Sequence, residues 1–370
     1  MTRIAVAMSG GVDSAVAAAL LVQAGYEVVG LTMDLWPAWV GAPDASSRTC
    51  CGITAVEDAR AAARVLGIRH YVLNLREAFE RAVIDYFCDE YAQGRTPNPC
   101  VACNQEIKFR VLLDKVVALG CEALATGHYA RVAVDPQTGR HLLLRAVDPV
   151  KDQSYVLYGL TQAQLARVRF PVGDYTKPQV RGLARRLGLP VADKPDSQEI
   201  CFVPAGHYGE LVAARRPEAG RPGPIVDRTG RQIGTHRGIG RYTVGQRRGL
   251  GVVTGEPVYV VAVDAPANRL VVGPACALAW RGVRVGRVNW IVPPPPPAAV
   301  TVRVRHAAAE VPATLHVRDD GRVDVRFATP QRAVAPGQAA VFYDGARVVG
   351  GGMIEAALDD EEETDHEHAH

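Results

Sequence analysis

The hexapeptide Ser9-Gly10-Gly11-Val12-Asp13-Ser14 constrains this chain more than any other feature. It joins an apolar run at residues 3–8 to a helical run that ends near residue 24, just before Gly25. Glycines let a backbone close on an anion, a helix N-terminus offers open N–H groups and the positive end of its dipole, and serine hydroxyls add donors. A loop of this kind needs a strand before it and a helix after it. It is not a Walker A loop, because no Gly-Lys-Ser/Thr follows, and it is not the G-x-G-x-x-G dinucleotide fingerprint. Gly249 and Gly251 begin such a fingerprint further on, but Thr254 stands where the third glycine should be. A ligand-free glycine turn is the bland alternative, yet the hexapeptide combines every element of an anion site.

Strand and helix signals alternate after the loop. Residues 27–33, 70–75 and 123–126 read as strands, and 54–66, 77–91, 106–119 and 178–187 as helices, with Gly67, Gly120 and Gly188 past three of the ends. Thr54 and Glu57 have capping-box spacing, and Pro178 suits a first helical turn. This alternation implies right-handed crossovers and an α/β fold with a doubly wound, mostly parallel sheet. After about residue 206 glycine and proline become frequent, and short β-rich runs appear at 257–263, 270–272, 283–290, 299–304, 314–317, 323–327 and 339–342. Two small β-rich domains follow from that texture, the last a β-barrel. The expected divisions are an α/β domain at 1–205, a central β-rich domain at 206–278, a C-terminal barrel at 279–358 and an acidic disordered tail at 359–370.

A chain of 370 residues is too long for one core, and 48% apolar with 22% charged residues excludes wholesale disorder. No run approaches the roughly 18 apolar residues of a membrane span. The start, Met1-Thr2-Arg3, has no signal-peptide architecture, so a cytoplasmic chain without a membrane partner is expected. The formal charge of +3 hides an asymmetry. Residues 359–370 hold seven acids and no Lys or Arg, leaving 42 basic against 32 acidic residues, or +10, in the rest. That body suits a polyanion such as RNA, although an ordinary solvated surface accounts for the charge equally well.

Eight cysteines in so long a chain do not make a disulfide scaffold. Cys100 and Cys103 form a C-x-x-C at the mouth of an expected helix, where a thiol more readily becomes the thiolate that attacks sulfur or binds metal. No second C-x-x-C completes a four-thiolate zinc site. A third cysteine, Cys201, follows in Asp196-Ser197-Gln198-Glu199-Ile200-Cys201. Cys50, Cys51, Cys88, Cys121 and Cys276 read as packing residues.

The hexapeptide resembles the pyrophosphate loop of the N-type ATP pyrophosphatases, which adenylate a substrate and release pyrophosphate. Eight segments together resemble the bacterial tRNA-specific 2-thiouridylases: SGGVDS (9–14), GRTPNPCxxCNxxIKF (94–109), ATGHYAR (125–131), KDQSYVLYGL (151–160), FPVGDYTKPQVR (170–181), DSQEICFV (196–203), YTVGQRRGLG (242–251) and PGQAAVFYDG (336–345). The likeness runs to about Glu355 and leaves out the acidic tail. It implies an enzyme that uses ATP and Mg2+ to adenylate O2 of the wobble uridine in tRNA(Lys), tRNA(Glu) and tRNA(Gln). Sulfur from an upstream sulfur carrier or cysteine desulfurase then displaces AMP. The chemistry is coherent, because adenylation turns a carbonyl oxygen into a leaving group and a thiolate can deliver the sulfur.

By position, the resemblance assigns ATP contacts to Ala7, Met8, Ser9, Gly10, Gly11, Val12, Asp13, Ser14, Met33 and Gly127, with Asp13 either near magnesium or capping the helix. Cys103 matches the nucleophile and Cys201 the persulfide carrier. Asn98 and Pro99 match residues beside the target base, and His128, Lys151, Asp152, Gln153, Arg305, His306 and Gln338 match tRNA-contacting positions. Without the resemblance, His128 would read as a packed histidine and Lys151-Asp152 as a solvated pair.

One position departs from the pattern. Many family members carry N-P-D-x-x-C, whereas this chain has Cys100 where that aspartate stands. Two readings follow. Cys100, Cys103 and Cys201 hold three irons of a [4Fe–4S] cluster, or Cys201 carries a persulfide and Cys100 is a bystander. Two rival functions complete the expectations: another adenylating synthetase of the pyrophosphate-loop type, and a non-catalytic RNA-binding or iron–sulfur carrier protein.

Overall fold

β1 (Arg3–Ala7) is buried from Ile4 onward and lies at the centre of a parallel sheet. The computed structural model describes residues 2–37, 39, 53–196, 200–203, 207–294 and 298–359. Cys50, Cys51, residues 197–199, the last three prolines of the 293–297 run and the acidic tail after Asp359 lie outside the described residues. The chain forms two compact units.

The first unit comprises Met1–Ile84, Pro99–Gly206 and Ala346–Val348. After β1 come β2 (Glu27–Asp34), β3 (Arg69–Asn74), β4 (Ala123–Thr126), the hairpin β5 (Ala130–Val134) and β6 (His141–Arg145), and the short β7 (Val168–Arg169). The sheet order is β3-β2-β1-β4-β7, and every pair in it is parallel. The chain turns back on itself at β1, with β2 on one side and β4 on the other. The carboxyl ends of β1 and β4 therefore flank the topological switch point, where open α/β sheets bind ligands. Helix α1 (Val12–Gln23) buries most of its circumference because it lies between the sheet and the Lys177–Arg186 helix. Val12, Val16 and Ala17 pack with Ile4, Val180 and Ala184 in one core.

The helix expected at 106–119 begins earlier, at Pro99, whose fixed φ suits a first turn. It runs as an α-helical turn (Pro99–Ala102), wide π-type turns (Cys103–Leu112) and a closing α-helical stretch (Leu113–Ala118). Such i→i+5 turns are uncommon and concentrate at functional sites.

The second unit comprises Asp85–Asn98, His207–Gly345 and the chain from Val349. Its helices Tyr86–Ala92 and Tyr208–Arg215 are held by Arg215–Asp85 (2.9 Å) and Arg216–Asp89 (2.5 Å) ion pairs and by the Tyr91 and Tyr208 rings, 4.9 Å apart. β8 (Gly223–Val226), β9 (Gln232–His236), β10 (Tyr259–Asp264) and β11 (Arg269–Gly273) form a sheet in the order β10-β11-β8-β9. The remaining strands are β12 (Ala279–Trp290), β13 (Ala298–Arg303), β14 (Val311–Val317), β15 (Val323–Arg332), β16 (Ala339–Asp344) and β17 (Arg347–Leu358). Pairing of β12 with β17 closes these six into an antiparallel barrel, which leaves no sheet edge to aggregate. Val283, Val302, Leu315, Val325 and Phe342 fill its interior. Among the described residues no helix is long and apolar enough to cross a membrane.

Candidate active site

The loop after β1 is closed by its own hydrogen bonds and by bonds to β2. Met8 donates its N–H to Leu31 O (2.8 Å), and Thr32 Oγ1 donates to Met8 O (2.7 Å). Ser14 Oγ accepts from Ser9 N (3.2 Å) and donates to Gly11 O (3.0 Å), closing the turn on itself. Gly10 sits at φ +69°, and a Cβ there would lie 2.2 Å from Ala55 O at the start of helix α2 (Ile53–Val65). Gly127, just past β4, packs so closely on α1 that a Cβ would come within 2.6 Å of Ser14 N. Both glycines are thus required by close backbone approach at the switch point. Of the residues assigned to ATP, Ser9, Gly11, Asp13 and Gly127 are partly open, whereas Ala7, Met8, Gly10, Val12, Ser14 and Met33 are buried.

Asp13 makes a contact that its position in the motif did not suggest. Lys177 Nζ lies 2.8 Å from both of its carboxylate oxygens, and Tyr129 OH donates to Oδ1 at 2.7 Å. Lys177 also pairs with Asp196 Oδ1 at 2.7 Å, while Lys151 Nζ reaches Asp196 Oδ2 at 2.8 Å and Arg181 reaches Oδ1 at 3.2 Å. Burial alone would push the Asp196 carboxyl up, but hydrogen bonds and charge from Lys151 and Lys177 outweigh it and hold the group below the ordinary value. Burial first, then the Asp13 charge, raises the Tyr129 phenol, so it remains a donor. Lys194 adds another tie, donating to Gly10 O at 3.0 Å and to Asp58 at 2.5 Å.

The cysteines divide by environment. Cys100 is exposed in the first helical turn, and Cys103 is half-buried where the π-type turns begin. The next residue, Asn104, is buried, donates to Val156 O (3.0 Å) and accepts from Lys108 (2.8 Å), which fixes the turn that carries Cys103. Cys201 is half-buried, and its neighbour Phe202 packs edge-on against Phe79 with ring centroids 5.7 Å apart. Cys88 and Cys121 are buried as expected, and burial raises the Cys88 thiol to about 11. Cys276 is exposed, which corrects its reading as a packing residue: it falls in a surface 3-10 turn after β11. Among the described residues no group of three His, Cys, Asp or Glu side chains is gathered to hold a metal.

The family model for the tRNA methyl transferase HUP domain matches residues 2–205, that for the tRNA methyl transferase PRC-barrel domain 210–274, and that for the aminomethyltransferase beta-barrel domain 280–354. A protein of Heliobacterium modesticaldum named tRNA-specific 2-thiouridylase MnmA is 51% identical over 96% of this chain and 93% of its own. One of the same name from Magnetococcus marinus is 52% identical over 95% and 98%. The chain belongs to the tRNA-specific 2-thiouridylase family. Among solved structures, a 4-thiouridine synthetase–RNA complex with bound ATP is similar at 18% identity and a TM-score of 0.35, covering 59% of this chain and 51% of that one.

The positions matched to tRNA contacts in 2-thiouridylases sit in varied surroundings. Arg305 and His306 are exposed in the second unit, and Gln338 donates to Thr96 O (2.8 Å) in that same unit. Asn98 is half-buried and Pro99 buried. In the first unit, Asp152 is buried and accepts from Ala146 N, Ser154 N and Ser154 Oγ, and Gln153 accepts from Tyr129 N (2.9 Å). Their turn presents Lys151 to Asp196.

His128 is buried between the Phe109 and Phe170 rings, with its Nδ1 2.7 Å from Thr126 Oγ1. Burial, then the Lys108 charge, holds its imidazole well below 6.5, so it is neutral when folded. The unfolded chain then binds the extra proton as pH falls past about 6.5, and the His128 share of stability is present above that pH and lost below it. The His128→Phe variant is expected to show a shallower loss of stability between about pH 7 and 5. Denaturant midpoints across that range check it; an unchanged slope would mean that His128 is not held neutral.

Proposed function

We propose that the chain is an ATP-dependent tRNA 2-thiouridylase, acting in the cytoplasm on the wobble uridine of tRNA(Lys), tRNA(Glu) and tRNA(Gln). The observation that carries the reading is near-full-length identity of about half to proteins of that name, together with an anion loop placed at the switch point of its sheet. ATP phosphates would lie against the loop backbone of Ser9–Gly11 and the open end of α1. The uridine O2 attacks the α-phosphate, and pyrophosphate leaves. The terminal sulfur of a Cys201 persulfide, loaded by an upstream sulfur carrier or desulfurase, attacks C2, and AMP departs. Cys103 thiolate then attacks Cys201 Sγ, which releases 2-thiouridine and leaves a Cys103–Cys201 disulfide for an external thiol to reduce.

The residues as placed do not fit a three-thiolate cluster site, since Cys100, Cys103 and Cys201 are not gathered as a ligand set. Asp13 is likewise engaged by an ammonium and a phenol, so it presents no ready cage for magnesium. No step is therefore routed through either metal. The test uses anaerobically prepared protein, unmodified tRNA, ATP and a persulfide donor. Pyrophosphate release should require tRNA, and nucleoside mass spectrometry should find 2-thiouridine. Release without tRNA, or with no thiolated product, would favour another adenylating synthetase. In the same assay Cys100→Ser should keep activity within about twofold, whereas a loss beyond about tenfold would restore the cluster reading.

A further inference from the structure

We propose that Asp196, with Lys177 and Lys194, is a positioning element that ties the Cys201 segment to the phosphate loop and makes sulfur transfer depend on it. The proposal rests on the thiouridylase reading and concerns residues to which that reading gives no role. Lys177 is the shared cation: its side chain is only 10% exposed, and its ammonium bridges Asp13 in the loop and Asp196 at 2.7–2.8 Å. Breaking either pair would leave a buried cation without one of its two partners, so the place of Asp196 is tied to that of Asp13 through Lys177. Lys194, two residues before Asp196, makes an independent tie to the loop through Gly10 O.

Cys201 lies five residues beyond Asp196, a reach of at most about 17 Å. On its other side Phe202, 3% exposed, is pinned to Phe79. The described residues that bracket this stretch are thus an ionic anchor on the phosphate loop, Asp196, and an apolar anchor away from it, Phe202. A polyanion entering the loop meets Lys177 as a cation already committed to Asp13 and Asp196. Charge arriving there redistributes the pairing and is felt at the root of the Cys201 segment. Asp196 acts through this pairing and need not touch either substrate.

The experiment compares Asp196→Asn and Asp196→Glu with wild type in the full-length protein, measuring pyrophosphate release and 2-thiouridine formed in one turnover with persulfide-loaded enzyme. Asp196→Asn should release pyrophosphate within about threefold of wild type yet form about tenfold less 2-thiouridine per pyrophosphate, and Asp196→Glu should recover most of that ratio. An unchanged ratio in Asp196→Asn, whether both steps fall together or neither does, overturns the proposal. If Asp196→Asn does not fold, Lys194→Gln is read the same way: a lowered ratio is expected and an unchanged one overturns the coupling. Wild type that makes no 2-thiouridine would instead overturn the thiouridylase reading, so the two failures are distinct.

Discussion

Replacing Cys201 with serine is expected to cut 2-thiouridine formation by about a thousandfold or more while tRNA-dependent pyrophosphate release persists, because a hydroxyl cannot carry a transferable sulfur. The packing argues against a secondary structural collapse. Cys201 is only half-buried, its anchor is the neighbouring Phe202 ring on Phe79, and serine differs from cysteine by one atom. Cys103→Ser should fail differently. Persulfide sulfur still reaches C2 and AMP still leaves, but nothing resolves the C2–S–S–Cys201 bond. A covalent tRNA–protein adduct should then accumulate on non-reducing gels and disappear on adding a thiol. Thiolation at wild-type rate by Cys201→Ser would remove that residue from the sulfur path.

The second large effect is expected at Gly10. Alanine there must hold φ +69°, at a cost of about 1–2 kcal/mol, and its Cβ would come 2.2 Å from Ala55 O and 2.8 Å from Ala55 Cα. Both obstacles are backbone atoms of α2, which cannot rotate away as a side chain would. Helix or loop must shift, so a total destabilisation of about 2–4 kcal/mol is expected. Calorimetry should show the melting point of Gly10→Ala lowered by roughly 5–15 °C. A loop displaced from α2 should also raise KM for ATP about tenfold or more. Gly11 provides the stability comparison. Its φ is −98°, and the nearest atom to an added Cβ is Ser9 Oγ at 3.5 Å, so Gly11→Ala should melt within a few degrees of wild type. Equal losses in the two variants would refute the steric account of Gly10.

Some structure escaped the sequence reading for local reasons. Thr161 and Gln164 form a capping box that starts the short Gln162–Arg167 helix, a signal too brief to register as periodicity. The β5–β6 hairpin lies in a half-exposed stretch without clean alternation. Pro99 starts a helix rather than ending a loop, which places Cys100 inside the first turn and Cys103 at the onset of the π-type turns.

What the sequence by itself determined is everything carried by short-range pattern. Ser9–Ser14 between an apolar run and a helix marks a glycine loop of the anion-binding type, alternating strand and helix signals imply the parallel sheet, and closely spaced β-rich runs after about residue 206 announce the barrel. Those signals survive because hydrogen bonding in helices and turns, and the alternation of side chains along strands, link residues only a few positions apart. Tertiary structure alone decided the rest. Asp13, Lys177 and Asp196 belong to three separate segments, and only the crossover that lays the Lys177–Arg186 helix against α1 brings their charges within 2.8 Å. His128 reads the same in sequence whether exposed or buried, and it is the Phe109 and Phe170 rings from distant segments that make it neutral. Desolvation and ion pairing depend on what the fold places around a group, and neighbours in space leave no periodic mark along the chain.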